Sequence, residues 1–205
     1  MSIKFDGNYE FARETNFVPL IASEFPHASA DFTIVFAGAG DTIRPVAIMG
    51  LRQGENLYVT EQGDFTARYV PVFLRRYPFI FSSGDEGETF TLCVDEEFSG
   101  CNRDGRGERL FDADGEQTQY LKGVLEFLKD HQVQHQRTER FCQKINDLGL
   151  LDPMSAQFTM ANGEKIALTG FLAVDRDKLK ALTGEQFQEL AQTDEMELIY
   201  IHLQS

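Results

Sequence analysis

The residues best suited to chemistry are arginines concentrated in one segment. Residues 44–76 contain five arginines, no lysine and three acids, which gives a formal charge of +2 inside a chain of formal charge −14. Because a guanidinium group forms fixed, fork-shaped hydrogen bonds with carboxylates and phosphates, this segment predicts an anion- or protein-binding face. The candidate ligand-binding residues are Arg52, Arg68, Arg75 and Arg76. Internal pairing of these arginines with the acidic segment 85–116, which has eleven acids and three arginines, explains the same pattern equally well.

An aspartate and a tyrosine close to these arginines offer acid–base chemistry. Asp95 ends a strand-like run of apolar residues, and Tyr77 lies at the end of the arginine-rich segment. If the fold placed both in one pocket, Asp95 would serve as general base and Tyr77 as proton donor while the arginines held a carboxylate. This arrangement would suit an enzyme acting on a carboxylate-bearing peptide or sugar.

Three other motifs are better explained by ordinary structure. His131 and His135 have the spacing of a helical metal site, but no third ligand is adjacent, so solvated histidines are expected. Gly38-Ala39-Gly40 lacks the third glycine and the following helix of a dinucleotide loop, and it indicates a turn. The Asp- and Gly-rich stretches at 102–105 and 112–115 fail the register of a calcium loop. We therefore expect neither a cofactor nor a metal, although distant ligands could still meet in the fold.

Composition limits the class of protein. The 205 residues include 33 acids against 19 basic residues and are 42% hydrophobic, which allows a packed core but disfavours nucleic-acid binding. No apolar run approaches the roughly 18 residues of a membrane span, and no secretory signal is recognisable at the start. The three cysteines, Cys93, Cys101 and Cys142, fit neither a disulfide framework nor metal knuckles. These features predict a soluble, cytoplasmic protein without membrane insertion.

Apolar periodicity predicts short strands first, then a long helical segment, then a mixed ending. Strands are expected at residues 32–36, 45–49, 56–60, 79–82 and 89–95, with a short amphipathic helix at 68–78. The Gly- and Asp-rich segment 95–116 is expected to be a surface loop that acts as the rim or gate of the arginine face. From residue 117 to Gly149 the period is helical, as two helices or one long bent helix.

The last third of the sequence carries clear turn and cap signals. Asn162-Gly163 between alternating residues predicts a β-hairpin with a type I′ turn. Asp175 and Thr183 are expected to cap two short helices, and residues 198–203 are expected to form a buried strand. Together these elements predict one α+β domain over residues 1–205, mostly antiparallel sheet with several short helices and one long central helical segment.

Several stretches together resemble the SapC family of bacterial proteins. The most specific is Arg75-Arg76-Tyr77-Pro78-Phe79 within residues 69–79, and Arg52 and Asp95 lie in other matching stretches. The remaining stretches are residues 19–25, 31–36, 50–57, 92–95, 137–138, 170–179 and 199–203. The family takes its name from a bacterial surface-layer context and has no established activity or cofactor, so the resemblance implies a fold but little chemistry. A permease that shares the name is excluded by the lack of a spanning segment.

These observations favour a non-catalytic binding or accessory protein with an arginine-lined face. Its partner would be an acidic small molecule or a protein. The enzyme built on Asp95 and Tyr77 is the main alternative. A protein that works only as a homo-oligomer is a third possibility, for which a large exposed apolar patch would be the sign.

Overall fold

The architecture was obtained as a computed structural model that describes residues 1–83 and 90–205. The strands are β1 (Ser2–Ile3), β2 (Phe17–Pro19), β3 (Ile34–Ala37), β4 (Arg44–Ile48), β5 (Phe79–Ser83), β6 (Phe90–Val94), β7 (Cys101–Asn102), β8 (Glu108–Arg109), β9 (Leu151–Thr159) and β10 (Lys165–Val174). The helices are α1 (Phe25–Ala28), α2 (Val72–Arg75), α3 (Gln119–Asp147), α4 (Arg176–Lys180), α5 (Gly184–Gln192) and α6 (Glu195–Gln204). The α+β class, the antiparallel pairing and the long central helix are confirmed.

The described strands form three sheets. The largest has the order β2-β4-β3-β10-β9, and the other two are the β5-β6 hairpin and the small sheet β7-β1-β8. Every pair is antiparallel. The predicted surface loop 95–116 therefore contains two short strands, β7 and β8, which flank β1. Thr89 of the predicted strand 89–95, and Asp85, Glu86 and Glu88 of the acidic segment, lie outside the described residues.

Helix α3 spans the molecule and packs on two hydrophobic clusters. Thr118 caps its first turn by accepting a hydrogen bond from the Leu121 amide, and Gly149 follows its end with φ of +67°. Its N-terminal half contributes Leu121 and Leu128 to a smaller cluster with Ile3, Phe79, Phe98 and Leu110. Its C-terminal half contributes Phe141 and Ile145 to the main core beside the large sheet. The long helix thus supports two regions of the surface.

The predicted strand at residues 198–203 is wrong, because these residues belong to helix α6. Met196, Ile199 and His202 are buried at a spacing of three, which is a helical period. A short apolar run has no periodicity that separates a buried strand from a buried helix. Glu195 and Glu197 in the first turn of α6 favour the helix through its dipole.

Two expectations in the first half also need correction. Residues 56–60 form turns with one isolated bridge, Val59 to Phe65, because the Asn56 side chain accepts a hydrogen bond from the Tyr58 amide and bends the chain. The helix expected at 68–78 is only the four residues of α2. Pro71 precedes it, and the amides of Arg68 and Tyr69 bond to the Asp31 carboxylate instead of continuing a helix.

The β9-β10 hairpin is confirmed, but its turn is not type I′. A type I′ turn needs positive φ at both central residues, and of the two only Gly163 has it, at +83°. The Gly163 amide bonds to the Met160 carbonyl, and the Asn162 side chain accepts from the Glu164 amide. The Asn162 side chain thus holds a longer loop closed. The caps expected at Asp175 and Thr183 are confirmed.

Candidate functional site

Two of the four candidate arginines form ion pairs within the fold. Arg52 contacts Glu55 at 3.1 Å and Glu164 at 2.8 Å, which links the loop after β4 to the hairpin turn. Arg68 contacts Asp31 at 3.1 Å. Neither arginine lines the two clefts described below. Within residues 1–83 and 90–205, the ion-pair partners of these arginines come from outside segment 90–116.

Arg75 lies at a cleft between the chain after α2 and the N-terminal half of α3. This cavity has a volume of about 600 Å³, within the range of small-molecule sites. We call it the aromatic cleft; its lining includes Phe5, Tyr9, Arg75, Arg76, Tyr77, Tyr120 and Phe127. Gly123 also lines it, and a Cβ added there would meet nothing within 4 Å. A glycine inside a helix costs about 1 kcal/mol relative to alanine, and here it leaves the cleft open.

The guanidinium group of Arg75 is held by aromatic rings. It lies 5.6 Å from the Tyr69 ring centroid and 5.8 Å from that of Phe127, and it donates a 3.3 Å hydrogen bond to the Tyr69 hydroxyl. The Tyr69 hydroxyl in turn donates to Glu24 at 2.9 Å. Burial, then the negative charge of Glu24, raises the pKa of Tyr69 to about 12, so the phenol stays protonated. Arg75 is exposed, and a guanidinium has five donors, so its other donors can reach a ligand.

Tyr77 lines the aromatic cleft and contacts Asp95, which is not part of the lining. The Tyr77 hydroxyl donates a 2.7 Å hydrogen bond to Asp95 Oδ2, while Asp95 Oδ1 accepts from the Glu97 amide at 3.0 Å. The Tyr77 ring stacks on Phe11 at a centroid distance of 4.2 Å. Burial, then the hydrogen bond to Asp95, raises the pKa of Tyr77 to about 12. The pair is therefore a protonated phenol held by a carboxylate.

Arg76 lines the aromatic cleft and also a second cleft. This cavity has a volume of about 390 Å³. We call it the histidine cleft; its lining includes Arg44, Phe73, Arg76, His131, His135 and Glu139. The Arg76 guanidinium stacks on Phe73 at 4.5 Å, and burial lowers its pKa. Arg75 and Arg76 are adjacent in sequence, yet their charged groups contact different aromatic residues. Arg76 lines both clefts, whereas Arg75 lines only the aromatic cleft.

The sequence led us to expect solvated histidines. The structure differs, because His131 and His135 are both partly buried, with their ring centroids 6.1 Å apart. Burial, with Arg76 and His135 nearby, lowers the pKa of His131 to about 4. His135 lies 3.6 Å from Glu139. Within the described part of the chain, no group of three or more His, Cys, Asp or Glu side chains is arranged to hold a metal ion.

Sequence reasoning missed the two features that shape these clefts. Gly123 interrupts an otherwise apolar helical stripe, which is a usable signal for a packing or binding role. Tyr9 and Tyr120 carry no signal, and Arg44 counts only among the five arginines of residues 44–76, because only the tertiary fold brings these residues beside Arg75 or His131.

Comparison with known proteins identifies the family. The SapC family model matches residues 1–205. The chain belongs to the SapC family. No curated protein and no solved structure matches it. Because the SapC match covers the whole chain, it includes the residues of both clefts and does not indicate which cleft is functional. Across the described residues, no helix of this SapC chain is long and apolar enough to cross a membrane.

Proposed function

We propose that this SapC protein is a non-catalytic binding or accessory protein, and that its aromatic cleft holds an acidic ligand with an apolar body. The ligand is a small acidic molecule or an acidic group presented by a partner protein. One observation carries the proposal: Arg75 is fixed at a cleft of about 600 Å³ whose other walls are mainly aromatic and apolar.

The chemistry of the cleft supports an amphipathic anion. Phe5, Phe127 and the Tyr120 ring offer apolar surface, which favours burial of a hydrocarbon body. The guanidinium supplies the charge-assisted hydrogen bonds that a carboxylate needs once it leaves water. The Arg75 charge also acts on Tyr9, whose pKa is raised by burial and lowered in part by Arg75. The cation therefore lies close enough to the cleft lining to affect it.

Arg75 is positioned before a ligand arrives. Its contacts with Tyr69 and Phe127 fix the side chain, so binding loses less conformational entropy than it would with a mobile arginine. The whole chain is strongly acidic, with a formal charge of −14, so a fixed cation at this cleft gives an anion a favourable place to bind.

The test compares two fluorescent probes of the same shape, 2-naphthoate and the neutral 2-naphthalenemethanol. Wild-type protein is expected to bind the carboxylate at least tenfold more tightly than the alcohol. Arg75→Gln should remove that preference, because the neutral side chain cannot pair with the carboxylate. Gly123→Leu should weaken both probes, because the new side chain fills the cleft. Arg140→Gln removes an exposed arginine that lines neither cleft, and it is the matched control.

The proposal fails if Arg75→Gln binds 2-naphthoate like the wild type, or if both probes bind equally. Thermal melting of each variant separates loss of binding from loss of fold. Native mass spectrometry of the purified protein would also detect a retained natural ligand.

A specific contact favours an enzyme as the second candidate function. Tyr77 and Asp95 form a 2.7 Å hydrogen bond beside the aromatic cleft, which is the proximity that acid–base chemistry needs. On this proposal Tyr77 is the proton donor, Asp95 the base, and the substrate a carboxylate-bearing peptide or sugar. A turnover with a bell-shaped pH profile that Asp95→Asn abolishes would support it. Turnover unaffected by Asp95→Asn would reject it.

We also propose a cytoplasmic location. Within residues 1–83 and 90–205 the three cysteines are free thiols, and Cys101 has a pKa raised by burial and by Asp95. Free thiols are usual in a reducing compartment. Fractionation of the native host, with immunodetection of the chain, tests this location directly.

A further inference from the structure

The histidine cleft has features that the proposed function does not use. Arg76 reaches it from the end of α2, Arg44 from β4, and His131 and His135 from one face of α3. These four side chains come from three separate elements. Apolar residues, among them Leu20 and Phe73, form other parts of the wall. The result is a partly apolar cavity whose lining also carries nitrogen donors and acceptors.

The charges facing His131 nearly cancel while the histidines are neutral. Arg76 faces it from α2, and Arg44 and Asp41 lie in the lining near the start of β4. His135, Glu139 and the Cys142 thiol face it from α3 itself. The positive charges of the two arginines are balanced by the negative charges of the two acids, so these four groups give the cleft no net charge. A ligand here must satisfy a guanidinium and a neutral imidazole together.

We propose that the histidine cleft binds a phosphate monoester of a small, largely apolar body, with Arg76 donating hydrogen bonds to the phosphate and His131 accepting one from the phosphate O–H. Arg76 lines both clefts, but Arg44, His131 and His135 line only this one, so the proposal does not depend on the function proposed for the aromatic cleft. The cavity of about 390 Å³ has room for the phosphate and for an organic group of about the size of a benzene ring.

Proton chemistry selects phosphate over carboxylate. A phosphate monoester has its second pKa near 6, so near neutral pH a fraction carries both a negative charge and an acidic O–H. The charged oxygens suit Arg76, and the O–H suits the free nitrogen of a neutral imidazole. A carboxylate at this pH has no proton to offer. It would pair with Arg76 and leave the imidazole acceptor of His131 without a partner.

The electrostatics of the cleft agree with this assignment. The pKa of His131, about 4, keeps the imidazole neutral near pH 7 and ready to accept a hydrogen bond. An anion between Arg76 and His131 would offset the repulsion from the guanidinium, but burial, the larger cause of the lowered pKa, would remain. The proton is therefore expected to stay on the phosphate and to form a hydrogen bond with His131, without any covalent change in the ligand.

The experiment titrates the protein with phenyl phosphate and with benzoate, which share the ring and differ in the anion. NMR of the imidazole C–H groups reports His131 directly, and calorimetry gives affinities at pH 6 and pH 8. We expect phenyl phosphate to shift the His131 resonance, to bind at least tenfold more tightly than benzoate at pH 6, and to weaken toward pH 8. His131→Leu and Arg76→Gln should each reduce the affinity at least tenfold.

His27→Leu is the matched control, because His27 stacks on Tyr69 and lines neither cleft. Arg76→Lys keeps the positive charge but loses the fork-shaped set of hydrogen-bond donors of the guanidinium. It should therefore bind phenyl phosphate better than Arg76→Gln and worse than the wild type. The proposal is overturned if the His131 resonance does not move, or if benzoate binds equally well. It is also overturned if Arg75→Gln abolishes phenyl phosphate binding while His131→Leu retains it, which would place the phosphate in the aromatic cleft. The NMR titration of wild-type protein decides the question even if a variant fails to fold.

Discussion

Glu24 is a buried carboxylate that organises the arginine segment. Its side chain is 3% exposed and accepts hydrogen bonds from the Ile21 amide at 2.9 Å, the Val72 amide at 2.7 Å and the Tyr69 hydroxyl. Burial raises the pKa of Glu24, and the three hydrogen bonds oppose that rise. Through Tyr69 the carboxylate also fixes the position of Arg75. One buried acid therefore joins the core to the proposed binding group.

Replacing Glu24 by glutamine should lower the free energy of unfolding by about 1–3 kcal/mol at pH 7, since one amide donor loses its acceptor. The wild-type carboxyl has a raised pKa in the folded state, so the native protein binds the proton more readily than the unfolded chain. Its contribution to stability is therefore greatest below the unfolded pKa of 4.5 and declines as pH rises through the folded value. Urea unfolding at several pH values should show this decline in the wild type and its loss in Glu24→Gln. Equal pH dependence in both proteins would contradict the assignment.

Residue types in the sequence revealed some of these groups and hid others. The sequence identifies Arg75, Tyr77 and Asp95 because their side-chain types alone suggest chemistry. The fold places Tyr77 against Asp95. The sequence does not indicate that Glu24 is buried, because nothing in the residues next to this acid is a sign of burial. Its three donors come from separate segments, which only the tertiary structure brings together. For the same reason, nothing in the sequence indicates that Arg75 lines one cleft and Arg76 lines both.

At the level of elements, patterns that extend over many residues were reliable and short ones were not. The apolar stripe after residue 117 predicted the long helix, and the alternation around Asn162 predicted the β9-β10 hairpin. The short run at 198–203 predicts a strand, whereas these residues belong to α6. A short, mainly apolar run fits either element, and packing against the sheet decides between them.

His202 shows how α6 completes the sheet. β10 pairs with β3 at Leu172 and Phe36, and the antiparallel register would next place Val174 opposite Ile34. At that point the imidazole lies between the strands, accepting from the Val174 amide at 3.1 Å through Nε2 and lying 2.8 Å from the Ile34 carbonyl through Nδ1. Since Nε2 accepts, Nδ1 carries the proton. The His202 side chain thus takes the place of a direct backbone hydrogen bond between β10 and β3.

His202→Leu should cost about 3 kcal/mol, because it leaves a buried amide and a buried carbonyl without partners. Burial lowers the pKa of His202 from 6.5, so its stabilising contribution is present above that pH and is lost as pH falls through 6.5 toward the folded value. Chemical denaturation at pH 5 and pH 7.5 should therefore show a smaller difference between variant and wild type at the lower pH. Tyr200→Leu, at an exposed position of the same helix, is the control. A difference that grows on acidification would contradict the hydrogen-bond scheme.

At the scale of the whole molecule, α3 connects two cores of unequal size. The smaller cluster, with Leu121 and Leu128, lies beneath the aromatic cleft, while the main core holds Phe141 and Ile145. His131 and His135 lie on the helix between these two regions. Because fewer buried side chains support the first half of α3, it should open at a lower free energy than the second half. The aromatic cleft is thus placed on the more easily opened part of the protein.

Native-state hydrogen exchange measures this difference directly. Amides at residues 121–128 should exchange faster than those at 141–147 in the wild type. Leu128→Ala removes buried methyl groups from the smaller cluster, a change that typically costs about 2–5 kcal/mol, and it should accelerate exchange mainly at 121–128. Ile145→Ala weakens the main core and should accelerate both regions, since global unfolding exposes all of α3. If 2-naphthoate occupies the aromatic cleft, it should slow exchange at 121–128 and leave 141–147 unchanged. Equal acceleration of both regions by Leu128→Ala would show that the two clusters unfold as one unit, and that α3 transmits stability along its whole length.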